Sequence, residues 1–422
     1  MIEARRPSPL NMGDPEPFVR GEQHEYFRRL RQEAPVSWNE GMAFENGLSF
    51  PGFWNITKYA DVLAISRDPA TFISSHGITM GTNPENAGPA AGLGKMMIVT
   101  DPPRHVRLRR LVNKGFTPRA VAAMEGHIRE ITAGIIDDVA SRNSCDFVVD
   151  VAAQLPLAVI CEMMGVPKED WTLMFELTNK VLGGGDEEYQ AEGANVDQTI
   201  TDGHMQMFGY FMRMLAERKA ERRDDLLSVL VDSDIDGDKL TDEEILYFSY
   251  LLILAGNETT RNAISGGLLA LFEHPEQRQR LQADPSLMPL AVEEILRWTS
   301  PVTHMARAAT RDVELRGQQI AKGDQVIMWY PSANRDEEIF PDGDRFRVDR
   351  SPNEHLAFGI GEHFCLGAGF ARLEIRVMFE ELLRRLPDIQ QAGPVERLKS
   401  TFIGGYKHLP VRFTPERVPA LA

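Results

Sequence analysis

The chain has 422 residues, 43% of them hydrophobic and 26% charged, a globular composition that excludes disordered, collagen-like and coiled-coil classes. Sixty-two acidic against 46 basic residues give a formal charge of −16, and so acidic a body repels nucleic-acid backbones and anionic lipid; no nucleic-acid partner is expected. Three scattered cysteines, Cys145, Cys161 and Cys365, make no disulfide framework or paired-cysteine zinc site, and no apolar run approaches the ~20 residues of a membrane span. A cytoplasmic location without a membrane anchor is therefore expected.

In chain order, residues 1–14 read as a flexible N-terminal tail, and residues 15–422 as one domain without repeats or linkers. Aromatic and β-branched residues between Trp38 and Tyr59 predict short strands. From about residue 100 to 300 helical periodicity dominates. Cys161 lies in an apolar helical stretch, Leu157 to Met164, where a free cysteine packs as a small hydrophobe. Thr241 and Glu244 form a capping box that opens a proline-free helix running to about Glu273, roughly 45–50 Å long and therefore central. Alternation between Ala306 and Tyr330 across Gly317 and Gly323 predicts a small antiparallel element. The fold class is mainly α with a small β subdomain.

Two segments break these patterns. In the middle of the central helix, Ala255-Gly256-Asn257-Glu258-Thr259-Thr260 places a glycine, a carboxylate and a hydroxyl in an otherwise apolar wall. Further on, Phe358-Gly359-Ile360-Gly361-Glu362-His363-Phe364-Cys365-Leu366-Gly367 leads into a helix with apolar Leu366, Phe370, Leu373 and Val377. A cysteine at a helix start meets free amide N–H groups that favour its thiolate, and the three glycines allow close approach of a bulky, flat partner.

This cysteine loop resembles the haem-binding loop of the cytochrome P450 superfamily, and the resemblance extends from about residue 15 to 415. It implies the cytochrome P450 fold, with haem b held between the long central helix and the helix after the loop. Cys365 is then the iron ligand, with Phe358, Gly361 and Gly367 shaping its loop and Ala255 facing the haem. Glu294-Ile295-Leu296-Arg297 is similar to the family's E-x-x-R pair, and Arg350 matches the arginine that joins it, although Arg347 stands where an aspartate is common. His105 and Arg109 share one helix face at i,i+4 spacing, and with Arg307 and His363 match the cations that hold haem propionates. Glu258 and Thr259 match the acid and alcohol of the oxygen-activation motif; the bland alternative is a threonine satisfied within its helix and a glutamate paired with Arg261 or Arg297.

The resemblance implies a monooxygenase that activates dioxygen with two external electrons and hydroxylates an unactivated C–H bond of a hydrophobic substrate. NAD(P)H, a reductase and a ferredoxin would deliver the electrons, the ferredoxin docking on a basic stripe of Arg107, Arg110 and Lys114. Strings such as Ser332-Ala333-Asn334-Arg335-Asp336 look like actinobacterial members acting on methyl-branched lipids, isoprenoids and sterol side chains, which implies attack at or near a chain end. Residues 76–99 and 181–185 are the expected substrate-contacting segments. A peroxygenase would not need the acid and alcohol, and a non-catalytic haem sensor or carrier would need neither these nor a docking surface.

Overall fold

The computed structural model describes residues 5–43, 49–50, 52–85, 87 and 91–415. Parts of the expected tail, the 38–59 strand region, the 76–99 segment and the far C-terminus lie outside those residues.

The principal elements are α1 (Gln23–Glu33), β1 (Val36–Asn39), β2 (Phe53–Ile56), β3 (Phe72–Ile73), α2 (Arg104–Val112), α3 (Glu125–Ala140), α4 (Gln154–Met164), α5 (Trp171–Gly183), α6 (Val196–Ala220), α7 (Asp242–Glu273), α8 (Met288–Thr299), β4 (His304–Ala309), β5 (Gln325–Trp329) and α9 (Ala368–Arg385). The five strands form one sheet in the order β1-β2-β5-β4-β3, with β5 parallel to β2 and the other pairs antiparallel. Both predicted glycine turns are present: Gly317 closes the hairpin Val313–Leu315/Gln318–Ile320, and Gly323 precedes β5, each at positive φ.

The long helix forms because its start is fully capped. Thr241 Oγ1 accepts the Glu244 amide at 3.2 Å, while the Glu244 carboxylate accepts the Thr241 amide at 3.0 Å. Its 32 residues span about 48 Å, and apolar residues around most of its circumference bury against α3, α4, α8 and α9 on one side and α5 and α6 on the other. Gly266 and Gly267 set the closest approach: a Cβ at Gly267 would lie 2.8 Å from Ile295 of α8 and 2.9 Å from Phe379 of α9.

The predicted ionic knot is present and fully buried. Arg297 Nε and Nη2 each donate to Glu294 at 2.8 Å, and Arg350 Nε donates to the same carboxylate at 2.9 Å. Arg297 also reaches the carbonyls of Asn334 and Gly343 at 2.8 Å, tying α8 to the meander before the cysteine loop. Arg347, at the position that departs from the family pattern, leaves the knot intact because it uses its backbone: its amide bonds Glu294 at 2.8 Å and its guanidinium turns out to Asp342 and Asp349. Removing one member of such a set strands a buried charge, at a cost of about 3–5 kcal/mol.

Of the expected flexible tail, residues 5–14 lie against the sheet. Arg5 stacks on Trp38 at 3.6 Å and bonds Asp324 at 2.9 Å, Pro7 bridges to Trp38, and Met12 is buried. A terminal segment is held when its aromatic and ionic partners lie on the adjacent sheet, and sequence proximity does not reveal them.

Candidate active site

A cavity of about 230 Å³ opens between the middle of α7 and the cysteine loop. One wall is Ala255, Gly256, Thr259 and Thr260 of α7; facing it are Phe358, Gly359, Cys365 and Gly367. Ala255 is exposed although its helix runs through the protein centre, because it faces this space.

The loop holds Cys365 by local hydrogen bonding. The Cys365 amide donates to the Phe358 carbonyl at 2.9 Å, and the Arg372 guanidinium lies 4.6 Å over the Phe358 ring. Burial pushes the Cys365 thiol up, while the Gly367 N–H and the Arg109 and Arg372 cations pull it back toward thiolate. Helix α9 begins only at Ala368, so Cys365 stands just outside the first turn.

Gly361, expected as a cofactor contact, lies against another helix. Its φ of 78° requires glycine, and a Cβ there would lie 2.4 Å from the Ser66 carbonyl, so it packs against the helix Tyr59–Ser66 and lines no part of the cavity. Gly359 does line it, at φ 64°.

His105, Arg109, Arg307 and His363 come together at one end of the cavity from α2, β4 and the loop. The two histidine rings are 4.1 Å apart, and Ser74 Oγ meets His363 Nε2 at 3.1 Å. Arg109 reaches only the Glu362 carbonyl (3.3 Å) and Arg307 only that of Ala306 (2.7 Å); among the described residues neither has an ion-pair partner. Asp101 is nearby but uses its oxygens on the Ser74 and Ser75 amides. Burial and neighbouring cations hold His105 down at about 4 and His363 still lower, and His105 Nδ1 is buried without a partner. Buried cations without counter-ions await an anionic group.

On α7, Thr259 and Glu258 face different ways. Thr259 Oγ1 lines the cavity and donates to the Ala255 carbonyl at 2.7 Å, without breaking the helix. Glu258 faces α5: Arg261 pairs with it and donates to Asn179 at 2.9 Å, and Glu258 Oε1 is buried without a partner. Burial raises the Glu258 carboxyl and the Arg261 pairing opposes that rise. Both hydrogen-bonding features of the bland alternative are therefore present.

Of the expected basic stripe, Arg107 pairs with Asp238 at 2.7 Å and Glu244 at 2.8 Å, while Arg110 and Lys114 are exposed. Met97 and Ile98 of the expected substrate segment line the cavity, whereas residues 181–185 do not; Val181 and Leu182 pack with α6 and its neighbours. Sequence reasoning missed Glu374, on α9 nine residues after Cys365. It lines the cavity, has a buried unpartnered oxygen, and is pushed up to about 8 by burial alone. Its signal was a lone acid at an inward helix position.

A cytochrome P450 family profile matches residues 157–388. A methyl-branched lipid omega-hydroxylase of Mycobacterium bovis is 45% identical over 394 residues, covering 92% of this chain and 90% of that protein. A steroid C26-monooxygenase of Mycolicibacterium smegmatis is 38% identical over 393 residues, with coverages of 92% and 90%. The solved structure of a Mycobacterium marinum cytochrome P450 in complex with pseudoionone superposes with a TM-score of 0.89 at 34% identity, over 97% of this chain and 100% of that one. The chain belongs to the cytochrome P450 family and has its fold. It is a P450 monooxygenase, an oxidoreductase, and the family's cofactor is haem iron. The donor set fits that group: a cavity-facing thiol and, at one end, cations whose counter-charge the protein does not supply. No helix among the described residues is long and apolar enough to cross a membrane.

Proposed function

We propose that Cys365 holds the haem iron, that His105, Arg109, Arg307 and His363 hold its propionates, and that the enzyme hydroxylates an aliphatic chain at or near its end. When bound, the haem supplies dioxygen activation. The observation that carries the substrate class is the rest of the cavity wall. Met97, Ile98, Phe248, Leu251, Leu252, Val302 and Met305 line it with apolar side chains, and the two cations of the lining, Arg109 and Arg307, stand with His105 and His363. Such a wall binds hydrocarbon by desolvation and offers no anchor for a carboxylate, so the apolar end of a methyl-branched fatty acid, isoprenoid or sterol side chain is what it orients. The names of the relatives agree with this class.

Thr259 holds a proton at its Oγ1 beside the cavity, and Glu258 is the buried acid one residue away; released by Arg261, its carboxylate takes up a proton from solvent and, as the carboxylic acid, can pass that proton on. Gly256 lets α7 approach Ile160 of α4 closely, a Cβ there lying 3.3 Å from that side chain. Two electrons come from NAD(P)H through a separate reductase and a ferredoxin, with Arg110 and Lys114 as the steering charges. The test is a screen of methyl-branched fatty acids, terpenes and sterols for displacement of iron-bound water, read as an absorbance shift, followed by product analysis with ferredoxin, reductase and NAD(P)H. Chain-end alcohols are expected; binding restricted to charged aromatic compounds would overturn the assignment.

A further inference from the structure

A second cavity, of about 180 Å³, lies behind the active-site wall. The start of α1, the C-terminal half of α7, the end of α8 and residues 397–406 enclose it. Its character is opposite to that of the first: Gln23, His24, Arg335, Arg397 and Ser400 contribute polar groups.

Arg335 is the central group. It is 3% exposed, its Nη2 donates to the Trp298 carbonyl at 2.9 Å, and its Nη1 is buried without a partner. Its nearest carboxylate, Asp344, is 3.9 Å away and mostly exposed. The buried arginines beside it are already neutralised, Arg31 by Glu337 and Arg297 by Glu294. Burial and Arg297 push the Arg335 guanidinium down to about 9. Arg397, stacked on Tyr406 at 5.0 Å, has no ion-pair partner among the described residues, and Gly21 makes room for it: a Cβ there would lie 3.2 Å from its Nε. His24 Nδ1 and Gln23 Oε1 are also buried and unpartnered, and burial with Arg335 and Arg397 nearby keeps His24 neutral. Glu273, on the exposed rim, is the one carboxylate among the lining residues.

Two arginines face one polar space with only the distant, exposed Asp344 against Arg335 and no ion-pair partner for Arg397 among the described residues, and a neutral imidazole with an unpartnered Nδ1 stands beside them. We propose that this cavity is a binding site for a small oxyanion, a phosphate or carboxylate group, held by Arg335 and Arg397. The site is separate from the haem cavity but touches its wall from behind. The Phe402 carbonyl accepts the Thr303 amide at 2.9 Å, the Gly404 amide donates to Pro301 at 2.8 Å, and Val302 bridges to Ile403. Since Val302 and Met305 line the active cavity, an anion in the second cavity braces the substrate wall.

The experiment titrates the holoenzyme with inorganic phosphate, and in a second arm with acetate, at ionic strength held constant with sodium chloride. Saturable binding by calorimetry is expected, with a rise in Tm of about 2 °C near saturation and slower backbone hydrogen exchange across residues 398–405. The two arms tell a phosphate from a carboxylate ligand. Arg397→Gln should weaken the binding at least about tenfold. Gln23→Glu, which sets a carboxylate in the same space, should raise Tm without added anion and abolish the response. No saturable binding beyond the chloride control, or an unchanged response in Arg397→Gln, would show that the cavity holds only water.

Discussion

Glu258 and Thr259 are neighbours in the chain, yet about 100° of helical rotation separates them, and that rotation decides their chemistry. Thr259 borders the reacting space, whereas Glu258 is sealed behind it with Arg261 and Asn179. Thr259→Ala removes the hydroxyl that bonds the Ala255 carbonyl on that wall and should leave haem and substrate binding intact. The fraction of NAD(P)H electrons recovered as product is expected to fall severalfold, with hydrogen peroxide rising to match. Fully coupled turnover in that variant would remove Thr259 from proton delivery. At this scale the types of the site residues were legible, but orientation was not. Gly361 illustrates the limit: its neighbour Ser66 is almost 300 positions earlier in the chain, so local sequence cannot tell a cofactor contact from a backbone one.

At the scale of elements, the closeness of α7 to α8 and α9 is set by glycine. Gly267→Ala forces a methyl group onto Ile295 and Phe379 and should cost about 1–3 kcal/mol, read as a lower denaturant midpoint at unchanged slope. Gly134→Ala on α3, where nothing lies within 4 Å of the new Cβ, should instead stabilise by up to about 1 kcal/mol. A second element contact is ionic. The strand Tyr406–His408 fastens to the turn after α5: Lys407 pairs with Asp186 at 3.0 Å, and His408 with Asp146 and Glu188. Those carboxylates raise the His408 imidazole above its ordinary 6.5. A raised folded value means that the protonated pair contributes fully below about pH 6.5 and is lost as pH climbs through the folded value. The Tm deficit of His408→Gln should therefore shrink as pH rises above about 6.5; a pH-independent deficit would assign His408 a packing role alone.

The whole molecule carries a formal −16, so the acidic electron donor proposed above would be drawn to its exposed cations. With Arg107 occupied by Asp238 and Glu244, the proposed docking rests on the exposed Arg110 and Lys114. Arg110→Glu should slow electron transfer from a ferredoxin several-fold at low salt and flatten its ionic-strength dependence, measured by stopped-flow reduction. An unchanged low-salt rate would place docking elsewhere.

The sequence by itself determined what depends on short-range physics: the capping box and length of α7, the i,i+3 pair Glu294 and Arg297, the glycine turns at 317 and 323, and the cysteine loop. These interactions close within a few residues, so spacing is enough to specify them. Tertiary structure alone decided which charges are free and which are satisfied. It docked Arg5 on Trp38, turned Glu258 to Arg261, gave Arg107 its acids and left Arg335 with only a distant, exposed one, because a charge's partner is whatever distant segment the fold brings within a few ångströms.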